Sequence, residues 1–186
     1  MEKEKHSSWH VLESRYIHRA PWLTARQEKI QLANGHVIPE YYVLEYPDWV
    51  NTLALTPDGK FVFVRQYRHG LGCTSYELCA GVRDPEDPSP MAAAQRELME
   101  ETGYGGGHWE SYMTISANPG TQTNLTYCFL ATGVEKVSEA HLEESEELSV
   151  HLLTVDEVKT LLLNDEIKQA LHAAPLWKYL ALNHLL

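Results

Sequence analysis

Apolar and polar residues alternate along most of the chain in short stretches that predict strands. Residues 9–46 combine β-favouring stretches with the turn pair Asn34-Gly35, a pattern typical of a small antiparallel module. The stretches 50–55 and 60–67 are separated by a proline, an aspartate and a glycine, and together they predict a hairpin. Further strands are predicted at 75–80, 109–115, 125–131 and 148–153.

A proline-rich loop leads into the helix whose limits are marked most clearly, at 91–101. Ser89 can cap its N-terminus, Pro90 suits the first helical position, and Gly103 can end it. The residues between these signals are mostly strong helix formers. We therefore expect the structure to reproduce these boundaries closely.

Two further helical segments are predicted after the last strand, at 155–163 and 166–185. The second is expected to kink or break at Pro175, because proline has no backbone N–H to donate. A length of 186 residues suits one complete core with a small appended module. We expect the chain to divide into an N-terminal β module, 1–47, and a main domain, 48–186.

Charge and cysteine content narrow the functional classes. The chain has 15 basic and 26 acidic side chains and a net charge of -11, which opposes broad adhesion to nucleic acid or to an anionic membrane. A small anionic substrate would therefore need a metal cation. Three cysteines are too few for a disulfide framework, and neither an apolar signal core nor a run of 18 apolar residues occurs. We expect a cytoplasmic protein.

Three carboxylates on the predicted helix carry the candidate chemistry. Glu97, Glu100 and Glu101 are spaced i, i+3 and i+4, so they share one face of the helix. Such crowding of like charge is unfavourable, especially near a helix C-terminus, where the macrodipole repels anions. Ligation of a hard cation such as Mg²⁺ explains the arrangement. The alternative is a solvated acidic face, which is the usual meaning of a charge run.

The run from Arg96 to Tyr104 reads Arg-Glu-Leu-Met-Glu-Glu-Thr-Gly-Tyr and follows Gly81 and the proline-rich loop. It resembles the Nudix box, in which a glycine, five residues, a glutamate and seven residues precede Arg-Glu-hydrophobic-X-Glu-Glu-X-Gly-hydrophobic. The resemblance implies an α/β fold, a Nudix α/β/α sandwich around a mixed sheet, here with the small N-terminal antiparallel β module. It also implies Mg²⁺ as the cofactor, with Mn²⁺ as a possible substitute.

Carried onto this sequence, the resemblance implies metal ligation by Glu97 and Glu101, with Glu100 as a further ligand or a catalytic support. It implies that Arg96 braces a glutamate through a charge-assisted pair, and that Ala80 offers its backbone carbonyl to the metal. The chain has one residue more than the family pattern between Gly81 and Arg96. The early acidic position of the box therefore falls on either Asp87 or Glu86.

Sequences flanking the box resemble the ADP-ribose and ADP-sugar pyrophosphatase branch. Arg65-Gln66-Tyr67-Arg68, followed by Glu77-Leu78-Cys79-Ala80-Gly81, is similar to the Gln-Tyr-Arg and Glu-Leu-Pro-Ala-Gly pair of that branch, with cysteine in place of proline. Arg68 is then a diphosphate ligand, although a surface arginine at a strand end is the alternative. Asn118-Pro119-Gly120 resembles a Ser-Pro-Gly-like loop, but the glutamate often found after it is missing, and a plain turn is equally consistent.

The acidic loop 143–147 resembles the loop from which this branch supplies a catalytic base and a metal ligand. By that comparison Glu144 is the candidate base and Glu146 the candidate ligand, against the alternative of a solvated loop. Near the N-terminus Trp22 is the first choice for stacking on the substrate base, against the alternative of core or interface packing.

The implied activity is metal-dependent hydrolysis of the pyrophosphate bond in ADP-ribose or an ADP-sugar, giving a nucleoside monophosphate and a phosphorylated sugar. The implied partners are a small nucleotide substrate and a second copy of the chain in a homodimer, with no nucleic acid and no membrane. Alternative substrates are a GDP-sugar, coenzyme A or a dinucleoside polyphosphate. A Nudix module that senses a ligand without turnover, or a protein whose acidic face binds a basic partner, would belong to other functional classes.

Overall fold

A computed structural model of the chain describes residues 8–142 and 147–186, which form two compact units. The first unit contains the residues up to Tyr46 together with Asn118–Asn124, and the second contains Pro47–Ala117 and the described part of Leu125–Leu186. The segment Asn118–Asn124, expected within the main domain, thus clusters with the N-terminal module.

The first unit is a three-stranded antiparallel sheet, in the order β1 (His10–Ala20), β2 (Leu23–Gln31) and β3 (Val37–Glu45). The backbone explains why Asn118–Asn124 joins it. The Leu44 amide at the end of β3 donates to the Thr121 carbonyl at 2.7 Å, and Leu44 forms a parallel bridge with Gln122. The segment therefore extends the backbone pairing of β3.

The second unit contains nine strands and three helices among its described residues. The strands are β4 (Trp49–Leu55), β5 (Phe61–Arg68), β6 (Cys73–Glu77), β7 (Cys79–Val82), β8 (Tyr104–Gly105), β9 (His108–Ile115), β10 (Thr126–Thr132), β11 (Glu135–Lys136) and β12 (Leu148–Leu153). The helices are α1 (Pro90–Thr102), α2 (Val155–Leu163) and α3 (Ala170–Leu182). Within the described ranges, no helix is long and apolar enough to span a bilayer.

A mixed seven-stranded sheet organises this unit. Its main path runs β12-β5-β4-β10-β9, while β6 pairs with β5 and β7 pairs with β4. Strands β4 and β10 are parallel, and the other pairs are antiparallel. The predicted strand 75–80 is in fact two strands, β6 and β7, interrupted at Leu78 because each pairs with a different neighbour.

The period-two alternation of β4 and β5 sends side chains to two different helical layers. On one face Val50, Ala54 and Val62 pack toward α1. On the other face Leu53 and Phe63 pack toward α2 and α3. Strands buried on both faces explain their almost continuous apolar character. The predicted α/β/α sandwich around a mixed sheet, with a small N-terminal antiparallel sheet, is confirmed.

Helix α1 has the limits that its capping signals predicted. The Ser89 hydroxyl accepts a hydrogen bond from the Ala92 amide at 3.1 Å, and Pro90 is the first helical residue. Gly103 ends the helix in the left-handed conformation, with φ of 70°, and its amide donates to the Met99 carbonyl at 2.8 Å. The carboxylates of α1 are therefore fixed in register against the sheet.

The predicted limits of the last helix are wrong at both ends, because α3 covers only Ala170–Leu182. Helix α3 begins at Ala170, because residues 166–169 form an irregular connection in which the Glu166 amide bonds back to the Leu161 carbonyl at 2.8 Å. Of the two outcomes expected at Pro175, the break does not occur, since the helix continues through the proline. Proline cannot donate to the carbonyl four residues earlier, that of Leu171, and the buried Asn51 side chain donates to this carbonyl at 2.7 Å instead.

Replacement of Gly103 should test how tightly the end of α1 is built. We expect Gly103→Ala to destabilise the fold by at least about 1 kcal/mol more than Gly106→Ala. Both glycines have φ of 70°, but a Cβ on Gly103 would lie 2.2 Å from the Ser138 carbonyl oxygen, whereas a Cβ on Gly106 has nothing within 4 Å. Urea unfolding of the two variants measures the difference, and equal losses would contradict it.

Candidate active site

Two carboxylates of α1 lie against the backbone of β7. Glu101, which is 4% exposed, accepts a hydrogen bond from the Ala80 amide at 3.2 Å. The Glu97 carboxylate lies beside Gly81 so closely that a Cβ at this position would be 2.2 Å from Glu97 Cδ. Glycine is therefore required at position 81 for Glu97 to occupy this place, and both carboxylates are held against one short stretch of strand.

Arg96 joins the acidic groups of the helix to the loop before it. Its Nη1 lies 3.0 Å from Glu97 Oε1 and 2.9 Å from Glu100 Oε2. Its Nε and Nη2 donate to the two Asp87 carboxylate oxygens at 3.2 and 3.0 Å. The hydrogen bond with Asp87 is the largest cause of the raised Arg96 pKa and of the lowered Asp87 pKa. Since Glu86 is exposed, the geometry favours Asp87 for the early acidic position of the box.

The side chains on this face of α1 suit a hard divalent cation. Carboxylate oxygens are the ligands that Mg²⁺ prefers, and the space above Gly81 is filled by the Glu97 carboxylate alone. In the described ranges, however, no three acidic, histidine or cysteine side chains converge as a ready metal centre. The reason is visible in the contacts: Glu97 and Glu100 turn toward Arg96, while Glu101 turns toward the Ala80 amide.

A cavity of about 650 Å³ borders the same stretch of strand. Ala80 and Gly81 contribute to its wall, so the backbone that holds the α1 carboxylates also borders the cavity. The remaining wall includes residues of β4, β5, β6 and β10, of the connection before α3 and of the start of α3, among them Asn51, Arg68, Glu77, Thr126, Lys168 and His172. Its volume is in the range of small-molecule binding sites.

A buried ionic cluster lies in the wall of this cavity. Glu77, whose side chain is only 2% exposed, accepts hydrogen bonds from Arg68 Nε at 2.9 Å and from Arg68 Nη2 at 2.5 Å. The Nε2 atom of the equally buried His172 lies 3.3 Å from Glu77 Oε2. Burial alone would raise the Glu77 pKa, but the close His172 imidazole and the hydrogen-bonded Arg68 guanidinium lower this pKa to about 2. Glu77 is therefore anionic at neutral pH.

Arg68 connects the cavity to the α1 carboxylates electrostatically. Its pKa is raised, chiefly by the hydrogen bond with Glu77 against the opposing effect of burial, and the charge of Glu101 adds to the increase. The Arg68 guanidinium uses one edge to bind Glu77 and interacts electrostatically with Glu101. It is therefore suited to bind an anion near the cavity and the carboxylates.

The structure brings Ala80, Arg68, Arg96 and the three helix glutamates together in the second unit. Trp22 lies in the turn between β1 and β2 of the first unit, where it is 82% exposed. Glu144 and Glu146, the predicted base and ligand, lie outside the described residues. The loop residue Gly120 accepts a hydrogen bond from the Tyr41 hydroxyl within the first unit.

Sequence reasoning gave no role to Glu77 or His172. Glu77 stands in the quoted Glu-Leu-Cys-Ala-Gly motif, so its position was visible, but its burial was not. His172 comes from a helix near the end of the chain and reaches Glu77 only through the tertiary fold. Nothing in its local sequence signals this contact.

Comparison with known families agrees with this geometry. A model described as the nucleoside diphosphate sugar hydrolase N-terminal domain matches residues 9–44. A second model, described as the NUDIX domain, matches residues 46–174. The chain belongs to the Nudix family. Nudix hydrolases generally use divalent metal ions, in agreement with the oxygen donors on the Nudix helix α1.

Individual proteins extend the comparison. The ADP-ribose pyrophosphatase of Mycobacterium tuberculosis is 30% identical over 138 residues, which cover 73% of this Nudix chain and 66% of that protein. The ADP-ribose pyrophosphatase of Bacillus subtilis is 30% identical over 144 residues, or 77% of each protein. A crystal structure described as an ADP compounds hydrolase shares the fold, with a TM-score of 0.80 at 20% identity over 93% of this chain and 94% of that one. The matched region thus spans slightly less than two thirds of the mycobacterial relative.

Replacement of Glu77 should alter how the stability of this Nudix domain depends on pH. The folded-state pKa of about 2 lies below the ordinary value of 4.5, so the Glu77 charge stabilises the fold above pH 4.5 and this contribution is lost as the pH falls toward 2. We expect Glu77→Gln to be destabilised at neutral pH, and its difference from the wild type to shrink as the pH is lowered through that window. Urea unfolding at several pH values measures this difference. A difference that stays constant would contradict the lowered pKa.

Proposed function

We propose that the chain is a metal-dependent hydrolase that cleaves the pyrophosphate bond of a nucleoside diphosphate derivative, with ADP-ribose or an ADP-sugar as the preferred class. The observation that carries this proposal is the shared use of Ala80 and Gly81, which hold Glu97 and Glu101 on α1 and also border the 650 Å³ cavity that contains Arg68. The products would be a nucleoside monophosphate and a phosphorylated sugar. The names of the two ADP-ribose pyrophosphatases support this choice of substrate.

Metal ligation is assigned to carboxylates of the Nudix helix and of the acidic loop, together with one backbone carbonyl. The proposed ligands are Ala80, Glu97, Glu100, Glu101 and Glu146. Bound Mg²⁺, or Mn²⁺ in its place, supplies charge neutralisation at the phosphate oxygens and a more acidic water. Arg96 is proposed to position Glu97 and Glu100, since its Nη1 lies within 3.0 Å of an oxygen of each.

In the proposed reaction the chain's own residues bind the diphosphate and move one proton. Arg68 donates hydrogen bonds to the diphosphate, and the group beyond the scissile bond occupies the cavity. Glu144 accepts a proton from the attacking water while the water oxygen forms a bond to one phosphorus. The bond from that phosphorus to the bridging oxygen breaks, and the bridging oxygen leaves with the other phosphate. Glu100, paired with Arg96, supports the charge arrangement on the helix.

Several further assignments belong to the same proposal and rest on the sequence resemblance. Residues 1–47 would form a module for dimerisation and base binding beside a hydrolase domain at 48–186, with Trp22 stacking on the base. The protein would be a cytoplasmic homodimer. The resemblance supports a small nucleotide as the partner, and the net charge of -11 opposes nucleic acid or a membrane surface.

A panel of substrates tests the activity directly. We expect release of AMP from ADP-ribose and ADP-sugars with Mg²⁺ or Mn²⁺, and slower reaction with GDP-sugars, coenzyme A and dinucleoside polyphosphates. Glu101→Gln should retain the fold but lower turnover at least about a hundredfold, because it removes one anionic ligand.

The Glu101→Gln variant serves as the control for contaminating phosphatases. If wild-type protein releases no monophosphate from any compound, the chain is a sensing or interaction module. If Glu101→Gln turns over at the wild-type rate at saturating Mg²⁺, the metal assignment is wrong.

Substitutions of the two acidic-loop residues, Glu144 and Glu146, should have different kinetic effects. We expect Glu144→Gln to lower kcat by about a hundred- to ten-thousandfold with nearly unchanged substrate and metal affinity, because a general base acts on the chemical step. Glu146→Gln should instead raise the Mg²⁺ concentration needed for half-maximal rate.

The neighbouring glutamates are the matched controls. A large loss of kcat in Glu143→Gln or Glu147→Gln, without one in Glu144→Gln, would move the base to that position. No loss in any of the four would assign the base to the Nudix helix, where Glu100 is the leading candidate.

A further inference from the structure

Arg68 presents only one of its edges to the protein. Its Nε and Nη2 atoms are bound to the two oxygens of Glu77, at 2.9 and 2.5 Å. Among the described residues Nη1 has no hydrogen-bond partner, and the side chain is 42% exposed in the cavity wall. The outer edge of the planar guanidinium, formed by Nη1 and the remaining N–H of Nη2, therefore stays available for two parallel hydrogen bonds to a phosphate.

The direction of that outer edge depends on where Glu77 is held. The Glu77 carboxylate is almost completely buried, so it cannot exchange a lost partner for bulk water. Gln66 offers only a long contact, with Nε2 at 3.4 Å from Oε2. His172, on α3, is a further neighbour: its Nε2 lies 3.3 Å from the same Oε2 atom, a close polar contact without hydrogen-bond geometry. The carboxylate is thus held between the arginine and the histidine.

His172 is itself held in place by the first turns of α3. The carbonyl of the preceding residue, Leu171, is released from the helix ladder by Pro175 and accepts the Asn51 amide at 2.7 Å. Because only the nitrogen of an amide can donate to a carbonyl, this contact also fixes the orientation of the Asn51 side chain. The sheet therefore fixes the turn of α3 that carries the histidine.

We propose that His172 is a positioning residue for the substrate diphosphate, acting through Glu77 to hold the outer edge of the Arg68 guanidinium toward the cavity. The inference rests on the proposed function, since it takes Arg68 as the diphosphate ligand. It adds a role for α3, which carries none of the Nudix box residues. The chemical class recognised is a diphosphate, whose paired oxygens match a planar two-donor edge.

Two substitutions of His172 introduce the same amide group on side chains of different length, so they test whether the contact with Glu77 is needed. Glutamine places its amide nitrogen near the position of Nε2 and keeps a polar contact with Glu77, whereas asparagine is one methylene shorter and cannot reach it. The probe is α,β-methylene-ADP, whose P–C–P link is not hydrolysed, and its affinity for the full chain with Mg²⁺ is measured by calorimetry. We expect His172→Gln to bind within about twofold of wild type and His172→Asn to bind about tenfold more weakly.

A cycle with Arg68 distinguishes positioning from loss of structure. In the Arg68→Ala background, His172→Asn should change affinity by less than about twofold, because the group being positioned is gone. Asn51→Ala loosens the same turn of α3 through Leu171 without removing a contact of Glu77. Because it acts on the turn that carries His172, its effect on affinity should also shrink in the Arg68→Ala background. Thermal melting of every variant identifies any that has lost the fold.

The outcomes separate this inference from the proposed function. An equal loss from His172→Asn with and without Arg68, or an equal loss from Asn51→Ala in both backgrounds, would overturn positioning through Glu77 while leaving hydrolysis in place. Failure of the wild type to bind the analogue, together with failure to cleave the substrate panel, would instead overturn the proposed function. Retained affinity in His172→Asn would likewise assign the histidine to packing alone.

Discussion

The candidate site depends on the close approach of helix α1 to strand β7 at a glycine, where the strand has no side chain of its own. Glu97 lies where a Cβ on Gly81 would otherwise be, and Glu101 takes its hydrogen bond from the next amide along, that of Ala80. A helix bearing three carboxylates could not come so near to the sheet unless the strand offered space and donors at these points. The capping of α1 by Ser89 and Gly103 then fixes which turn of the helix meets the glycine.

Local sequence signals predicted the parts of the fold that are themselves local. The cap, the proline and the terminal glycine located α1, and the strand alternation indicated a sheet covered on both faces. A distant partner decided between alternatives that the local pattern left open. Helix α3 continues through Pro175 because Asn51, from the first strand of the main sheet, satisfies the carbonyl that the proline leaves free. No pattern within the helix could reveal that donor.

The same distinction applies to the site. The spacing of Glu97, Glu100 and Glu101 is a property of one helix, so it could be recognised before the fold was known. The choice between Asp87 and Glu86 needed the three-dimensional position of Arg96, because both residues fit the spacing and only Asp87 contacts the guanidinium. The pairing of Glu77 with His172 joins two elements that are remote in sequence, and only the folded chain brings them together.

The proline in α3 has a consequence for the accuracy of folding. An ordinary amphipathic helix that slides along a sheet by one turn loses no backbone hydrogen bonds, because these are formed within the helix. Here Leu171 carries a carbonyl that needs an outside donor, and Asn51 carries an amide that needs an acceptor, both in the buried interior. A slipped arrangement would leave both groups without partners, at a cost of about 1–3 kcal/mol each. Pro175 thus favours a single register of the final helix against the sheet, because other registers leave two buried polar groups unpaired.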